Sequence, residues 1–496
     1  MPARWTILAP AAAGAAAFVI PDNRTRRGLL VATAVTHLAL TLLAFRAPAR
    51  PFFDGALLLD DPGRLFLLAT SVLFIAAAFY TMGYLKREAS GSRPDMVEGR
   101  LFSNSPEARF TGCILLFLAA MSFVCLAQNL GLLWVGVEAT TLASAPLVYF
   151  HRHHRSLEAT WKYLLLCSVG IALALFGTYM LALSGGGEVS LGLPALMAAG
   201  PTLNPVLLKA AFVFLLVGYG TKMGLAPLHT WLPDVYSESP SVVALLSTSL
   251  LNVSFLAILR VRQVLCAAGQ ADFGNDLLVF LGLTSMGWAA IFLLRQTDYK
   301  RLLAYSSVEH MGILAFGAGI GGTGMFGALL HLFAHGVAKG AMFLLAGNVL
   351  AAYMTKNVSG VRGLVRALPY SGPLWVAGVL ALVGMPPFGA FVSELTILRA
   401  ALAGGRYTLA GIFLLLLSVA FIGITTACLR MAQGNRAPAA NTAGGAAGAD
   451  DAPAREPWSA VLPPLALIAC ALLLGLYHPA RLAEVMVSAA RITGGF

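Results

Sequence analysis

Apolar segments about twenty residues long recur along almost the whole chain and leave it few ways to fold. A segment of this length crosses the hydrocarbon core of a bilayer as a helix. Inside a membrane the backbone must satisfy its own hydrogen bonds, which limits spanning structures to helices and closed barrels. With a hydropathy window of about 19 residues, the predicted spans lie at 5–20, 28–45, 65–85, 110–127, 130–150, 160–184, 206–228, 241–259, 276–294, 302–320, 324–350, 371–398, 407–429 and 458–478. We therefore predict an all-α polytopic membrane protein with about 14 transmembrane helices.

Composition supports the membrane assignment and argues against a nucleic-acid partner. Only 11% of the residues are charged and 58% are hydrophobic, whereas soluble domains carry roughly a quarter charged residues. The net charge of +11 comes from bases scattered through short loops, without a basic cluster that contains aromatic residues. We therefore interpret it as an orientation signal. The six cysteines lack paired spacing, so they predict neither a disulfide framework nor a zinc or iron–sulfur site.

Lysine and arginine are distributed unequally between the two sides of the predicted membrane. The loops after the odd-numbered spans hold 19 of these bases, and the opposite side, with both termini, holds 10. Because basic loops face the cytoplasm, both termini are predicted to lie on the outer side. The segment 434–457 is rich in Ala, Gly, Pro and Asp and is predicted to be a flexible cytoplasmic linker.

Two of the predicted spans carry residues that interrupt a helix. Span 7 contains "VGYGTKMGLAPLHTWLPD", with Lys222, and span 12 contains "LVGMPPFGAFVSELTIL", with Glu394. Matched glycine and proline interruptions in two halves are typical of transporters built from inverted repeats. An offset of 172 positions relates Lys222 to Glu394 and also Glu138 to His310. Five spans separate the two copies, so the second copy is inverted in the membrane.

The chain therefore divides into two predicted inverted repeats of five helices, spans 4–8 and 9–13, with broken helices in spans 7 and 12. The predicted domains are residues 1–108 with spans 1 to 3, 109–262 as the first half-channel repeat, 263–430 as the second, 431–457 as the linker, and 458–496 with the last span.

Ionisable residues inside the predicted spans are the candidates for function. A charged side chain at the bilayer centre costs about 2.5–3.5 kcal/mol on insertion scales, so it persists where it faces water, the bundle interior or another charge. Two members of the set have simpler interpretations: Lys162 is near the start of its span and can extend to the interface, and His310 can be a satisfied core residue. The candidate proton-transfer residues are Glu138, Lys162, Lys222, His310, His331, His335, Lys339 and Glu394.

His331, His335 and Lys339 follow one another at four-residue spacing in "HLFAHGVAKGAMF". At 3.6 residues per turn they share one helix face over about 12 Å. The two histidines suit zinc, but lysine is a poor third ligand and no carboxylate follows at the next turn. A relay of protons accounts for all three, because imidazoles titrate near neutrality and burial makes a lysine easier to deprotonate. The run "HRHH" at 151–154 also has the residue types of a metal site, but its place in a short loop favours a helix cap.

Several motifs resemble those of a known family. "LLWVGVEATTL", "TKMGLAPLHTWLPDVYSESPSVVALL", "DYKRLLAYSSVEHMGI", "HLFAHGVAKGAMFLLAGNV" and "FGAFVSEL" are similar to the antiporter-like proton-pumping subunits of respiratory complex I, Mrp-type Na⁺/H⁺ antiporters and group 4 membrane-bound hydrogenases. The similarity extends over spans 3 to 14. "SSVEHMG" and "ALLSTSLLN" are most similar to the F subunit of hydrogenase 4.

The resemblance implies roles for the candidate residues. Glu138 and Lys222 would form a coupled ion pair in the first half-channel, and Glu394 would be the exit-side group of the second. The triad on span 11 would be the central relay. Family members usually carry Lys or His in span 8 to link the halves, whereas this chain has Ser247 and Asn252 there, so the link would use water with hydroxyl or amide groups.

The resemblance also implies a setting in the bacterial inner membrane, within a larger complex. Partner membrane subunits and a peripheral redox module would carry iron–sulfur clusters and nickel–iron or flavin, and this subunit would hold no cofactor or metal. The chain would then be a non-redox subunit of an oxidoreductase of the hydrogenase or NADH:quinone oxidoreductase type. Two alternatives remain open: a Mrp-like subunit that exchanges Na⁺ for H⁺, and a structural anchor whose membrane charges have no role.

Overall fold

The computed structural model describes residues 2–88, 91–95, 99, 101–187, 189–434 and 456–494. The linker predicted at 434–457 lies almost wholly outside these residues. The described part is helical apart from a small antiparallel hairpin of β1 (Ser92–Pro94) and β2 (Leu101–Ser103) and short connecting turns.

Nineteen α-helices lie within these ranges. The first ten are α1 (Pro2–Val19), α2 (Asn23–Arg46), α3 (Asp61–Arg87), α4 (Glu107–Leu126), α5 (Leu130–Val148), α6 (His154–Ser184), α7 (Leu193–Ala199), α8 (Pro205–Met223), α9 (Trp231–Glu238) and α10 (Ser241–Ala267). The others are α11 (Ala271–Leu293), α12 (Tyr299–Ile320), α13 (Thr323–Tyr353), α14 (Leu364–Ala367), α15 (Ser371–Leu382), α16 (Gly389–Ala403), α17 (Tyr407–Ala432), α18 (Trp458–Leu476) and α19 (Ala480–Ile492).

Every predicted span coincides with a helix, except that span 7 covers α8 and the break after it and span 12 covers the two helices α15 and α16. In the described part of the chain, eleven helices are long and apolar enough to cross a membrane. Helix α1 is rich in alanine and carries Arg4, α12 is made less apolar by Glu309 and His310, and span 12 is divided between the short helices α15 and α16. These features explain why three predicted spans are not among the eleven helices that are long and apolar enough to cross a membrane.

Helices α10 and α13 form the centre of the bundle. The most apolar stretch of each is completely buried within the protein, whereas those of α2, α6 and α17 are only 28–39% buried. Helix α13 packs against α10, α12, α16 and α18. The helix that carries the predicted triad is therefore surrounded by protein on all sides, and the outer helices face the lipid.

The two predicted helix interruptions are present. Helix α8 ends at a left-handed Gly224 with φ +80°, and Gly384 with φ +68° lies in the break between α15 and α16. A left-handed residue favours glycine because it has no Cβ. At Gly384 a side chain would also collide with the carboxylate of Glu394, so glycine lets the backbone approach this acid closely.

The prediction that one offset of 172 positions relates the charges is wrong in detail. Gly224 and Gly384 lie 160 positions apart. Lys222 precedes its break, on the last turn of α8, whereas Glu394 follows its break, in α16. The arrangement of a helix, a break and a second helix occurs in both halves of the chain. The inverted repeat itself stays a prediction.

Candidate functional site

Three buried imidazoles converge between α12 and α13. His310 Nδ1 lies 2.9 Å from His331 Nε2, and the rings of His310 and His335 have centroids 4.7 Å apart. Each of the three residues is at most 1% exposed. His310 therefore belongs to the same cluster as the two histidines predicted from spacing, and its ring is hydrogen-bonded to that of His331.

Helix α16 completes this cluster from a third side. The Ser393 hydroxyl lies 2.8 Å from His331 Nδ1 and 2.8 Å from the carbonyl oxygen of Ala390. A carboxylate oxygen of Glu394 and one ring nitrogen each of His310 and His331 all lie within 4.8 Å of one another. The predicted exit-side acid is thus within one water molecule of the imidazoles.

Lys339 lies on the same helix as the histidines and is held by α12. Its ammonium donates to the carbonyl oxygen of Leu303 at 3.0 Å and to the Ser306 hydroxyl. The side chain is fully buried, and the carboxylate of Glu309 is close enough to interact with it electrostatically. The lysine therefore has two neutral acceptors and one acidic neighbour.

Glu309 is a site residue that the sequence analysis does not single out. It lies on α12 beside His310, is 5% exposed, and interacts electrostatically with both Lys339 and Glu394. With Glu394 it lines a cavity of about 370 Å³ between α15, α16 and α17. One of its carboxylate oxygens has no hydrogen-bond partner among the described residues. The signal for it was present in "SSVEHMG", since the insertion cost applies to any acid inside a span.

In the first half of the chain, Lys222 is fully buried against Tyr163. Its ammonium lies 3.2 Å from the tyrosine hydroxyl and 4.8 Å from the ring centroid, which permits a hydrogen bond and a cation–π contact. Glu138 instead accepts a hydrogen bond of 3.0 Å from Thr141. Across the described ranges no ion pair within 4.0 Å joins Glu138 to Lys222, so the two charges interact over a longer distance.

Lys162 is not part of a buried path. Its side chain is 47% exposed and forms ion pairs with Glu158 at 2.7 Å and Asp234 at 2.9 Å. Asp234, on α9, also pairs with Arg301 at 2.5 Å. These contacts fasten α9 to α6 and α12 near the surface. Lys162 therefore lies in a partly exposed ion-pair network, and its role in proton transfer stays a prediction.

Helix α10 presents polar side chains between the two halves. The Ser247 hydroxyl donates to the carbonyl of Val243 in its own helix at 2.9 Å. The Asn252 amide, in contrast, has no hydrogen-bond partner among the described residues at either atom. Its Nδ2 lies 3.7 Å from the place a Cβ would occupy on Gly336, the residue next to His335. Asn252 rather than Ser247 thus reaches the central helix.

Thr248 continues this polar face toward the first half. Its hydroxyl is buried, finds no bonded partner within the described ranges, and lies beside the Tyr236 hydroxyl without forming a well-aligned bond. Tyr236 in turn is close enough to Tyr163 to interact electrostatically. A series of neighbouring polar side chains therefore leads from Lys222 toward the histidines: Tyr163, Tyr236, Thr248 and Asn252.

Two histidine groups have the residue types of metal sites. The ligand atoms of one group, His310, His331 and Glu394, lie close enough together to bind one metal ion. However, one nitrogen of each ring is used in the 2.9 Å contact between the rings, and the ammonium of Lys339 would repel a metal ion bound nearby. In "HRHH", His153 Nδ1 accepts from the Ser156 N–H at 3.0 Å and caps α6. Burial, opposed by the nearby Glu238 carboxylate, lowers the pKa of His153, which favours the neutral ring that a cap requires. The predicted cap is confirmed.

Comparison with known proteins gives consistent matches. The family model described as NADH:quinone oxidoreductase/Mrp antiporter, TM, matches residues 127–420. A hydrogenase-4 component F homolog of Methylacidiphilum infernorum is 38% identical over 372 residues, which are 74% of this chain and 76% of that protein. NADH-quinone oxidoreductase subunit N of Desulforudis audaxviator is 31% identical over 308 residues, 61% of this chain and 60% of its own.

Solved structures share the fold at lower identity. A chain of the membrane-bound sulfane sulfur reductase, an archaeal respiratory membrane complex, gives a TM-score of 0.85 at 20% identity and covers 99% of this chain and 97% of its own. A chain of the Mrp complex from Dietzia sp. gives the same values. A chain of respiratory complex I from Thermus thermophilus gives a TM-score of 0.79 at 24% identity with full coverage of both.

Proposed function

Because the chain belongs to the family of antiporter-like membrane subunits found in NADH:quinone oxidoreductases and Mrp antiporters, we propose that it carries protons across the membrane within a redox-driven complex. The observation that carries this proposal is the buried cluster in which His310, His331 and Glu394 meet, with Lys339 beside it. His310, His331 and Lys339 are buried and Glu394 is partly buried, and ionisable groups so placed on three adjacent helices are costly unless they are used. Their residue types can each accept and release a proton.

The proposed route in the second half runs among these residues. The His335 and His310 rings are tilted against each other with centroids 4.7 Å apart, close enough for one water molecule to join them, and the His310–His331 hydrogen bond is direct. Glu394 receives the proton from the imidazoles and passes it toward the cavity it shares with Glu309. Lys339 acts by charge: when protonated it repels a proton from the histidines, and when neutral it favours one.

The proposed link between the halves consists of neutral groups and water. A buried polar group without a partner costs about 1–3 kcal/mol, and proteins commonly satisfy such groups with buried water, on the order of one molecule per 27 residues. Thr248, Asn252 and His335 are buried and lack partners among the described residues. We propose that ordered waters bridge them, so that a proton from Lys222 reaches His335 without a titratable residue on α10.

In the first half, Lys222 is the proposed proton-loading residue and Glu138 its distant acidic partner. Tyr163 lies against the ammonium and bonds to Ser144 at 2.8 Å. A proton on Lys222 is stabilised by Glu138 across this space. The proposed functional division is residues 109–262 for the first half-channel and 263–430 for the second.

The proposed setting is the bacterial inner membrane with both termini on the outer side, which the unequal distribution of bases supports. The chain's relatives are membrane subunits of multi-subunit complexes. We propose that iron–sulfur clusters and nickel–iron or flavin centres belong to partner subunits. The hydrogenase-4 relative at 38% identity favours a group 4 hydrogenase-type complex over a Mrp-type assembly.

Proton uptake by native membranes tests the proposal. Inside-out vesicles that contain the intact complex should acidify when its electron donor is added, and vesicles from a strain without this chain should not. Acidification should be unchanged when Na⁺ is replaced by choline. Uptake that requires Na⁺ would favour the Mrp-like alternative, and equal acidification in the deletion strain would contradict a transport role.

Asn252→Leu should slow transport by about tenfold, because a leucine has the same branching but no polar atom to hold the bridging water, and the lost polar partner is worth about 1–3 kcal/mol. Asn252→His keeps hydrogen-bonding nitrogens at this position and should retain transport. Acidification is measured in the same vesicles, with assembly followed on native gels. Full transport by the leucine variant would show that protons do not pass along α10.

A further inference from the structure

The Ser393 hydroxyl can be hydrogen-bonded to its two neighbours in more than one way. Its hydroxyl oxygen lies 2.8 Å from the carbonyl oxygen of Ala390 and 2.8 Å from His331 Nδ1. The carbonyl oxygen can only accept, whereas a neutral imidazole nitrogen either donates or accepts. The hydroxyl itself has one proton to donate. Two hydrogen-bond arrangements therefore fit the same heavy-atom positions.

In the first arrangement the Ser393 hydroxyl donates to Ala390. His331 Nδ1–H then donates to the serine oxygen, so Nε2 of His331 is without a proton and accepts from His310 Nδ1–H across 2.9 Å. His310 Nε2 is then the bare nitrogen at the far end, and it has no hydrogen-bond partner among the described residues. The chain of bonds is open to a proton arriving at His310.

In the second arrangement the hydroxyl turns to donate to His331 Nδ1. The proton of His331 then lies on Nε2 and is donated to His310 Nδ1, and every bond in the chain points the other way. The Ala390 carbonyl lies in the first turn of α16. Rotation of the hydroxyl away from this carbonyl therefore breaks no backbone hydrogen bond of the helix. The two arrangements correspond to the two tautomers of His331.

We propose that Ser393 is a positioning residue whose hydroxyl allows His331 to adopt either tautomer and so allows either direction of the His310–His331 hydrogen bond. A proton that enters a neutral imidazole at one nitrogen and leaves from the other converts the ring to its second tautomer. The ring must return to the first before another proton can pass. A hydroxyl remains hydrogen-bonded to the ring before and after this return, because it can accept from Nδ1–H and can donate to bare Nδ1.

No other side chain named at this cluster offers the same reversibility to Nδ1. Ser393 is fully buried, as is His331, so bulk water does not replace the hydroxyl. An ammonium only donates and a carboxylate only accepts, and either would hold the ring in one tautomer. The inference rests on the proposed proton route, but the tautomer of His331 is a property that can be measured without transport.

Solid-state NMR of the complex in bilayers, with ¹⁵N-labelled histidine, tests the proposal. The chain has nine histidines, and the His331 signals are identified by their loss in His331→Gln. In the native chain the tautomer with Nδ1–H should be populated. In Ser393→Ala the Nδ1–H has no acceptor, so His331 should shift to the tautomer with Nε2–H, which His310 can still accept. An unchanged tautomer in Ser393→Ala would overturn the proposal.

Transport provides the second readout. Ser393→Ala should slow acidification by about ten- to a hundredfold, the factor that corresponds to one unsatisfied buried group, and Ser393→Thr should restore it because the hydroxyl returns. Ser254→Ala is the matched control, since Ser254 is equally buried and, among the described residues, bonds only the carbonyl of Leu250 in its own helix; it should transport normally. Wild-type transport by Ser393→Ala would overturn the proposal. If even the native complex failed to move protons, the proposed function would fall, and the NMR result would still decide the tautomer.

Discussion

Lys339→Arg is expected to stop proton transport as completely as Lys339→Ala. A relay residue must both take up and release a proton, and an arginine side chain stays charged in proteins. Positioned proton-transfer groups contribute about 10²- to 10⁴-fold to rates, so each variant should lose at least about two orders of magnitude. The contacts of Lys339 with Leu303 and Ser306 leave its position well defined, and Glu309 is the acidic side chain close enough to interact with it.

The measurement is acidification of inside-out vesicles at matched amounts of assembled complex. Lys339→Met, with a side chain of similar length and no charge, separates loss of the titrating group from a change in packing. It should behave like the alanine variant. An arginine variant that transports beside inactive alanine and methionine variants would mean that Lys339 is a fixed charge, and the relay mechanism would be wrong.

Lys222→Ala should abolish transport, whereas Lys162→Ala should leave it within about fivefold of normal. Both lysines lie in the first half of the chain, but their surroundings differ. Lys222 is fully buried on Tyr163, and without it Glu138 loses the positive charge that acts on it over a longer distance. Lys162 is half-exposed, and surface ion pairs of this kind contribute only about 0–1 kcal/mol.

The two variants are compared in the same vesicles, with native gels to verify that the complex assembles. Each variant is the control for the other, because both remove one ammonium from the same half of the chain. Equal inhibition by both would mean that the first half responds to total charge rather than to a specific route. Normal transport by Lys222→Ala would remove this residue from the mechanism.

Much of the fold was predictable because membrane insertion imposes simple rules. Length and hydropathy predict the spans, and the glycines and prolines in spans 7 and 12 predict the two breaks that Gly224 and Gly384 form. Helical periodicity places His331 and His335 on one face of α13. These are local properties of the chain, so the sequence of each segment is enough to predict them.

The contacts between helices were not predictable in the same way. Ser393 lies 62 positions from His331, and Asp234 lies 72 positions from Lys162. Periodicity along one helix does not show which residue of another helix packs against it. The sequence therefore leaves two interpretations of Lys162, and it does not predict the direct contact of Lys222 with Tyr163.

The central polar side chains lie close to the middle of their helices. Asn252 is halfway along α10, His310 is halfway along α12, and His335 is in the middle third of α13. A proton that moves among them passes from helix to helix and advances little along the membrane normal. An electric potential across the membrane does work only along that normal, about 2.3 kcal/mol per charge for 100 mV over a complete crossing. The voltage therefore acts on uptake and release, while the lateral transfers proceed at a rate that the protein itself sets.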